Sequence, residues 1–231
     1  MVSLTNPFRR TVPTGLIDPQ EALPGRSQSA YGLPQQNVVL NSPLLGPWPQ
    51  GVEVIYLGMG CFWGAEELYW TVPGVVGSSV GYLGGFTTYP TYEEVCTGRT
   101  GHAEVVCVAY RSDQVSTVEI LRIFWEHHDP TQGNRQGNDI GTQYRSAIYT
   151  TNDEQLAVAL RTRDVFEATL RAAGLPAITT QIEPLGEQIY YPAEDYHQQY
   201  LHKVPHGYRC HATTGMRLPA IIDSAVDQTA R

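Results

Sequence analysis

The sequence is poor in cysteine: four in 231 residues, at 61, 96, 107 and 210, with no Cys-x-x-Cys pair among them. A chain of this length needs no disulfide framework, so a reducing, cytoplasmic setting is expected. Charge is sparse too: 16% of residues are charged, the net charge is −8, and no basic block occurs. That argues against nucleic acid and anionic membrane surfaces as main partners. No apolar run approaches the ~18–20 residues of a membrane span. No charged stretch followed by an apolar one opens the chain, so no signal peptide is expected. A phosphate-binding glycine loop and a dinucleotide fingerprint are both missing, so no cofactor is expected. There is no internal repeat.

What the chain does have is a 42% hydrophobic composition, 22 glycines and 14 tyrosines. Residues 1–50 are rich in Pro, Gly, Ser, Gln and Asn and read as an irregular arm. Its apolar points (Phe8, Leu16, Ile17, Tyr31, Leu44, Leu45, Trp48) are available to pack on a body. That body is expected over 51–219, with a tail at 220–231.

Gly58-Met59-Gly60-Cys61-Phe62-Trp63-Gly64 is the centre of the body. A β-branched, apolar run over 52–57 predicts a strand before it, and 65–70 predict a helix after it, ended by Pro73-Gly74. Cys61 therefore stands at a strand-to-helix turn. The free amides of a helix start favour a thiolate, which is the nucleophilic form; Glu66 and Glu67 would oppose this a little.

Further on, 75–80 predict a strand, and Thr91 with Glu94 a capping box. Residues 102–110 form the clearest strand. Its alternation puts Glu104, Val106, Val108 and Tyr110 on one face, and Val105, Cys107 and Ala109 on the other. Cys107 is expected in the core. Glu104, if buried with its apolar neighbours, would keep its proton and serve as an acid; a solvated strand-end Glu is the alternative. Ser116 and Glu119 predict the start of a second helix, ended by Asp129-Pro130. A polar, glycine-bearing loop over 131–141 precedes a strand over 142–150. Thr151 and Glu154 predict a third helix, with a stripe of Leu156, Ala159, Leu160, Phe166 and Leu170 that Arg163 interrupts. A half-exposed strand over 177–183 and a long irregular segment follow. That segment ends near Tyr208-Arg209-Cys210-His211, where Arg209 and His211 would favour a Cys210 thiolate.

Three chemistries remain open on these residues. Zinc binding finds histidines but no matching spacing: His197 and His202 are five apart and do not share a helix face. A Cys–His acyl transfer has no histidine marked by spacing. Thiol redox chemistry is the third option: two cysteines far apart in sequence can act in turn, one attacking and the other resolving the oxidised product as a disulfide.

Five segments together are similar to A-type peptide methionine sulfoxide reductases. They are Gly60-Cys61-Phe62-Trp63-Gly64, Gly101-His102-Ala103-Glu104, His128-Asp129-Pro130, Arg135 through Ser146, and His197-Gln198-Gln199-Tyr200-Leu201. They come in the family's order, within about Val52 to Pro219. The resemblance implies an α+β fold: a mixed sheet with a split βαβ (ferredoxin-like) core and a long irregular C-terminus. It also implies reduction of methionine (S)-sulfoxide, free or in proteins. Cys61 would attack the sulfoxide sulfur. Glu104 would be the acid, and Tyr92 and Tyr144 would hydrogen-bond the oxygen. Phe62 and Trp63 would hold the methyl group, and Asp139 would help to order the site. Cys210 would resolve the Cys61 sulfenic acid as a disulfide, and thioredoxin would reduce it. Many members carry two C-terminal cysteines in a glycine-rich segment; here Cys210 stands alone, so a direct two-cysteine cycle is expected. Cys96 is given no catalytic role, and His102 and His128 are expected to be structural. A monomer is expected.

Overall fold

The structure, a computed structural model, describes residues 15–210 and 212–220. The apolar, β-branched runs of the sequence form one six-stranded mixed sheet. Its members are β3 (Val52–Met59), β4 (Val75–Leu83), β5 (Ala103–Arg111), β8 (Ser146–Thr150), β9 (Gln181–Pro184) and β10 (Tyr191–Pro192), in the order β10-β4-β5-β3-β8-β9. Within this sheet only β8 and β9 pair in parallel. Two small hairpins stand apart: β1 (Gln36–Asn37) with β2 (Ser42–Pro43), and β6 (Arg135–Gln136) with β7 (Asp139–Ile140).

The two-residue period of β5 sorts its side chains as the sequence predicts. Val106, Val108 and Tyr110 join Ile55 and Leu57 under α1 (Phe62–Trp70), α3 (Thr117–His127) and α4 (Asp153–Ala172). Tyr69, Leu121, Phe124, Trp125, Phe166 and Leu170 come down from those helices to complete the main core. On the opposite face Ala103 and Val105 pack with Leu83, Ala147 and Tyr149 beneath Tyr56, Leu185 and Tyr190. Cys107 is buried, near Ser79 and Tyr56.

Capping follows the residue types, with one shift. Thr91 caps α2 (Tyr92–Val95) and Ser116 caps α3, each in a reciprocal box with Glu94 and Glu119. The expected Thr151–Glu154 box does not form. Asn152 caps α4 instead, its side chain accepting from Gln155 N. Asn is as good a cap as Thr, and it lies one residue nearer the helix. The buried stripe of α4 is Gln155, Ala159, Thr162, Phe166 and Leu170. Thr162 enters it because its hydroxyl accepts the Trp125 indole N–H at 2.9 Å, while Arg163 pairs with Asp164 outside.

Two strands are shorter than expected. Residues Thr142–Tyr144 make a 3-10 turn, so β8 starts only at Ser146. The turn is closed by Tyr144 N to Gly141 O, and Arg145 Nη1 donates back to Thr142 O. The strand expected over 177–183 begins at Gln181, because Ile178 N and Thr179 N are drawn to Glu167 and Pro130 O. The C-terminal segment also holds β10 and the short α5 (Tyr200–Lys203).

The arm, from residue 15 onward, lies against the body. Leu44 is buried, and Asn37 is fully buried, donating to Ser78 O and Oγ. Arg26 grips Glu94 with two bonds of 2.6 and 2.7 Å, and Tyr31 donates to Pro192 O. A Cβ on Gly77 would meet the Trp48 ring at 2.1 Å, so that glycine admits the arm's tryptophan. Leu16 and Leu45 stay exposed, and Phe8 lies outside the described residues.

His102 and His128 are buried, each held at both ring nitrogens. His102 bridges Gly85 N and Thr87 O; His128 bridges Phe124 O and Ser146 Oγ. Among the described residues no helix is long and apolar enough to cross a membrane.

Candidate active site

β3 ends at Met59, and Gly60 turns the chain with φ +87°. A side chain there would also strike Gln136: a Cβ on Gly60 would lie 2.6 Å from both Cβ and Cγ of that glutamine. Only glycine satisfies both the dihedral and the space. Cys61 follows as the N-cap of α1 and is buried. Because β5 runs antiparallel to β3, its start lies beside this turn, which brings Glu104 to the first residues of α1. Phe62 N donates to Glu104 Oε2 at 3.1 Å.

A cavity of about 140 Å³ gathers Cys61, Phe62, Trp63, Tyr92, Glu104, Asp139, Tyr144 and Tyr208. Apart from Cys210, every expected site residue lines it. α2 brings Tyr92, the 3-10 turn Tyr144, and the β6–β7 hairpin Asp139. A second cavity, of about 270 Å³, is lined by both Cys61 and Cys210. All four cysteines are free thiols. Cys210 Sγ lies 3.4 Å from Gln136 O, and the thiol also reaches Asp139.

Burial sets the electrostatics. Glu104 is 2% exposed, and desolvation pushes its carboxyl up to about 8, against the pull of the Phe62 N–H. It is therefore protonated at neutral pH, which decides between the two sequence readings of this residue. The Cys61 thiol is a correction. Trp63 N–H and Gly64 N–H do favour its thiolate, but burial and the nearby Glu104 outweigh them, and the thiol is held well above its ordinary value. Neither Glu66 nor Glu67 is among the causes: Glu66 is turned to Ser78 and Gln199, and Glu67 to Arg209. Burial also raises Tyr92 and Tyr144, so both phenols keep their protons.

Four residues outside the expected set also shape the site. Tyr208 lines the cavity and donates to Asp139 Oδ2 at 3.0 Å. Its one sequence signal is position, two residues before Cys210. His197 is fully buried and accepts the Trp63 indole N–H at Nδ1, 2.9 Å away. Burial lowers it to about 4, so it stays neutral, with its proton on Nε2. Tyr200 stacks on Trp63, with centroids 3.9 Å apart. Glu66, wholly buried, accepts from Ser78 Oγ, Gln199 N and Gln199 Nε2, and so ties α1 to the segment carrying His197 and Tyr200. The Arg209 guanidinium is engaged by Glu67. His211 lies outside the described residues. No group of three or more His, Cys, Asp or Glu among the described residues could hold a metal ion.

Such a site holds a buried nucleophile, a neutral carboxylic acid, two neutral phenols and an apolar wall. It can protonate and hydrogen-bond an oxygen while a sulfur attacks beside it. Comparison with known proteins gives the family. The family model described as peptide methionine sulfoxide reductase matches residues 53–229. The peptide methionine sulfoxide reductase MsrA of Salinispora arenicola (strain CNS-205) is 56% identical over 214 residues, covering 92% of this chain and 96% of that protein. Among solved structures, methionine sulfoxide reductase A of Corynebacterium diphtheriae is 48% identical with a TM-score of 0.80, covering 89% of this chain and 100% of that one. Mxr1 from Saccharomyces cerevisiae in reduced form is 34% identical with a TM-score of 0.62, covering 75% and 95%. By sequence and fold the chain belongs to the peptide methionine sulfoxide reductase family.

Proposed function

We propose that this oxidoreductase reduces the S epimer of methionine sulfoxide, free or within proteins, by a two-cysteine cycle recycled by thioredoxin. The observation that carries the reading is the small cavity shared by Cys61, Glu104, Tyr92, Tyr144, Phe62 and Trp63. Cys61 Sγ attacks the sulfoxide sulfur. The Glu104 proton moves to the departing oxygen while the two phenols donate hydrogen bonds to it. The thiol's proton replaces the one the carboxylate gave, and the hydroxyl passes from the substrate sulfur to Cys61 Sγ as the S–S bond breaks, so methionine leaves and Cys61 carries a sulfenic acid. Phe62 and Trp63 hold the methyl group, and Trp63 is oriented by His197 and Tyr200. A wall that takes methyl on one side and hydrogen-bonds oxygen on the other discriminates epimers. Asp139, bonded to Tyr208, orders the mouth of the site.

Cys210 then attacks the Cys61 sulfur, the S–O bond breaks, and water leaves with the thiol's proton. The cavity shared by the two cysteines supports this step. Thioredoxin is the reductant by chemical class: a dithiol that takes a protein disulfide back to two thiols. Residues 51–219 act as the catalytic unit, with 1–50 as an arm and 220–231 as a tail. We read the sheet core as a split βαβ, supported by the order β4-β5-β3-β8 with α1 and α3 as crossovers. The protein works as a cytoplasmic monomer in this reading, starting its cycle from reduced thiols.

The test is to supply dithiothreitol and, separately, the S and R epimers of a blocked methionine sulfoxide, and to quantify methionine. Conversion of S alone, abolished by Cys61→Ser, is the expected result. Conversion of neither epimer by the reduced protein would overturn the reading.

A further inference from the structure

Cys210 lies beyond α5 in a segment with no helix or strand of its own. Its encounter with Cys61 therefore depends on whatever fixes that segment. The strongest fixture is the preceding residue. Arg209 Nε and Nη2 donate to the two oxygens of Glu67 at 2.6 and 2.7 Å, a fork-on-fork pair. Its Nη1 donates to Pro205 O and Gly207 O at 2.9 and 3.2 Å, so the same guanidinium also folds the segment onto itself. Glu67 is on α1, the helix that Cys61 caps, about 9 Å further along its axis at ~1.5 Å per residue. One wall of the larger cavity thus holds Cys61, Glu67, Arg209 and Cys210. Gly64, on the same cavity, would meet nothing within 4 Å if it carried a Cβ, so the cavity is open at that point.

We propose that Arg209 and Glu67 form a clamp that holds Cys210 over α1 and thereby sets the rate at which it closes the disulfide with oxidised Cys61. The inference rests on the two-cysteine reading above. Both are positioning residues: neither touches the sulfoxide. The step they serve is balanced, since the Cys61 sulfenic acid and the Cys210 thiol give one S–S bond and one water. The clamp raises the effective concentration of Cys210 at Cys61 without altering either sulfur.

The experiment mixes reduced full-length protein with one equivalent of a blocked methionine (S)-sulfoxide and no reductant. It follows methionine release, dimedone capture of the Cys61 sulfenic acid by mass, and loss of free thiols. Glu67→Gln and Arg209→Gln are expected to release the first methionine at the wild-type rate, which also shows that they fold. Their disulfide should form about five- to tenfold more slowly, in keeping with a forked pair at the edge of solvent, while the dimedone adduct accumulates. Arg209→Lys, which keeps the charge and loses the fork, should fall between. The double variant should be no slower than either single variant, because each already breaks the same pair. Wild-type closure rates in both single variants would overturn the clamp. So would a double variant slowed by the product of the two single effects, or loss of the methionine burst itself. If the wild-type protein released no methionine, the reading of Cys61 would fail first and the clamp with it.

Discussion

The backbone N–H of Phe62 donates to Oε2 of Glu104 at 3.1 Å, so that carboxyl is tied to the residue next to Cys61. This amide is one of those left free by the start of α1, and it is satisfied by a carboxyl arriving from β5. The distance from acid to sulfur is thereby set by a strand pair and a helix cap, not by a flexible side chain alone.

Glu104→Gln keeps the size and the acceptor oxygen but removes the proton. Single-turnover methionine release is expected to slow by about 10²- to 10⁴-fold, the usual worth of a placed general acid. Quenched-flow measurement of methionine checks this. An unchanged rate would remove Glu104 from the chemistry.

The same residue gives a pH signature in stability. Unfolded, its carboxyl ionises near ~4.3; folded, it holds its proton to about 8. Below the lower value both states are protonated and the group contributes nothing. Between the two values the unfolded chain releases a proton that the folded chain keeps, so stability falls as pH rises, by up to about 1.4 kcal/mol per unit. Above about 8 the penalty is constant. Buried Glu66, raised to about 7, adds a second contribution of the same sign. Melting temperatures across this range should show Glu104→Gln gaining on the wild type with rising pH and then levelling. A difference independent of pH would contradict the burial of a neutral acid.

Cys61 should react slowly with iodoacetamide at neutral pH, because its thiol is buried and held protonated. The ionised Glu104 is one of the causes, so Glu104→Gln should speed alkylation several-fold at a pH of about 9, where that carboxyl is charged. Mass spectrometry of the Cys61 peptide reads the result; equal rates in both proteins would show that the two groups do not interact.

Cys210→Ser should release about one methionine per chain without reductant. It should turn over with dithiothreitol and fail with thioredoxin. Sustained thioredoxin-driven turnover would exclude Cys210 as resolver.

Asn37→Ala tests the arm. It leaves Ser78 O and Oγ short of a buried donor, which costs about 1–3 kcal/mol. Urea unfolding should show a lower midpoint with an unchanged slope. No shift would mean that the arm contributes nothing to the fold of the body.

Much of the fold is legible because short-range rules decide it. The alternation of β5 places Glu104 and Cys107 on opposite faces, and the Thr91 and Ser116 capping boxes form as their residue types dictate. The strand boundary near Tyr144 is not legible, since Arg145 and Gly141 bend the chain through contacts that periodicity does not encode. Cys61 shows the limit most clearly. Its helix-start environment is local and follows from the sequence, but burial and Glu104 come from the fold and reverse the net effect on the thiol. Tyr208, His197 and Glu66 act across 69, 134 and 133 positions of sequence, toward Asp139, Trp63 and Gln199, and no pattern along the chain announces such pairs.

The seat of Gln136 against Gly60 has a further consequence. The β6–β7 hairpin lies against the turn that bears Cys61, and Asp139 belongs to the same hairpin. A lift of that hairpin would take Gln136 from Gly60 and Asp139 from the Cys61 cavity together, so one local opening exposes the thiol. Amide exchange in residues 135–140 and labelling of Cys61 by a bulky maleimide should then share one temperature dependence.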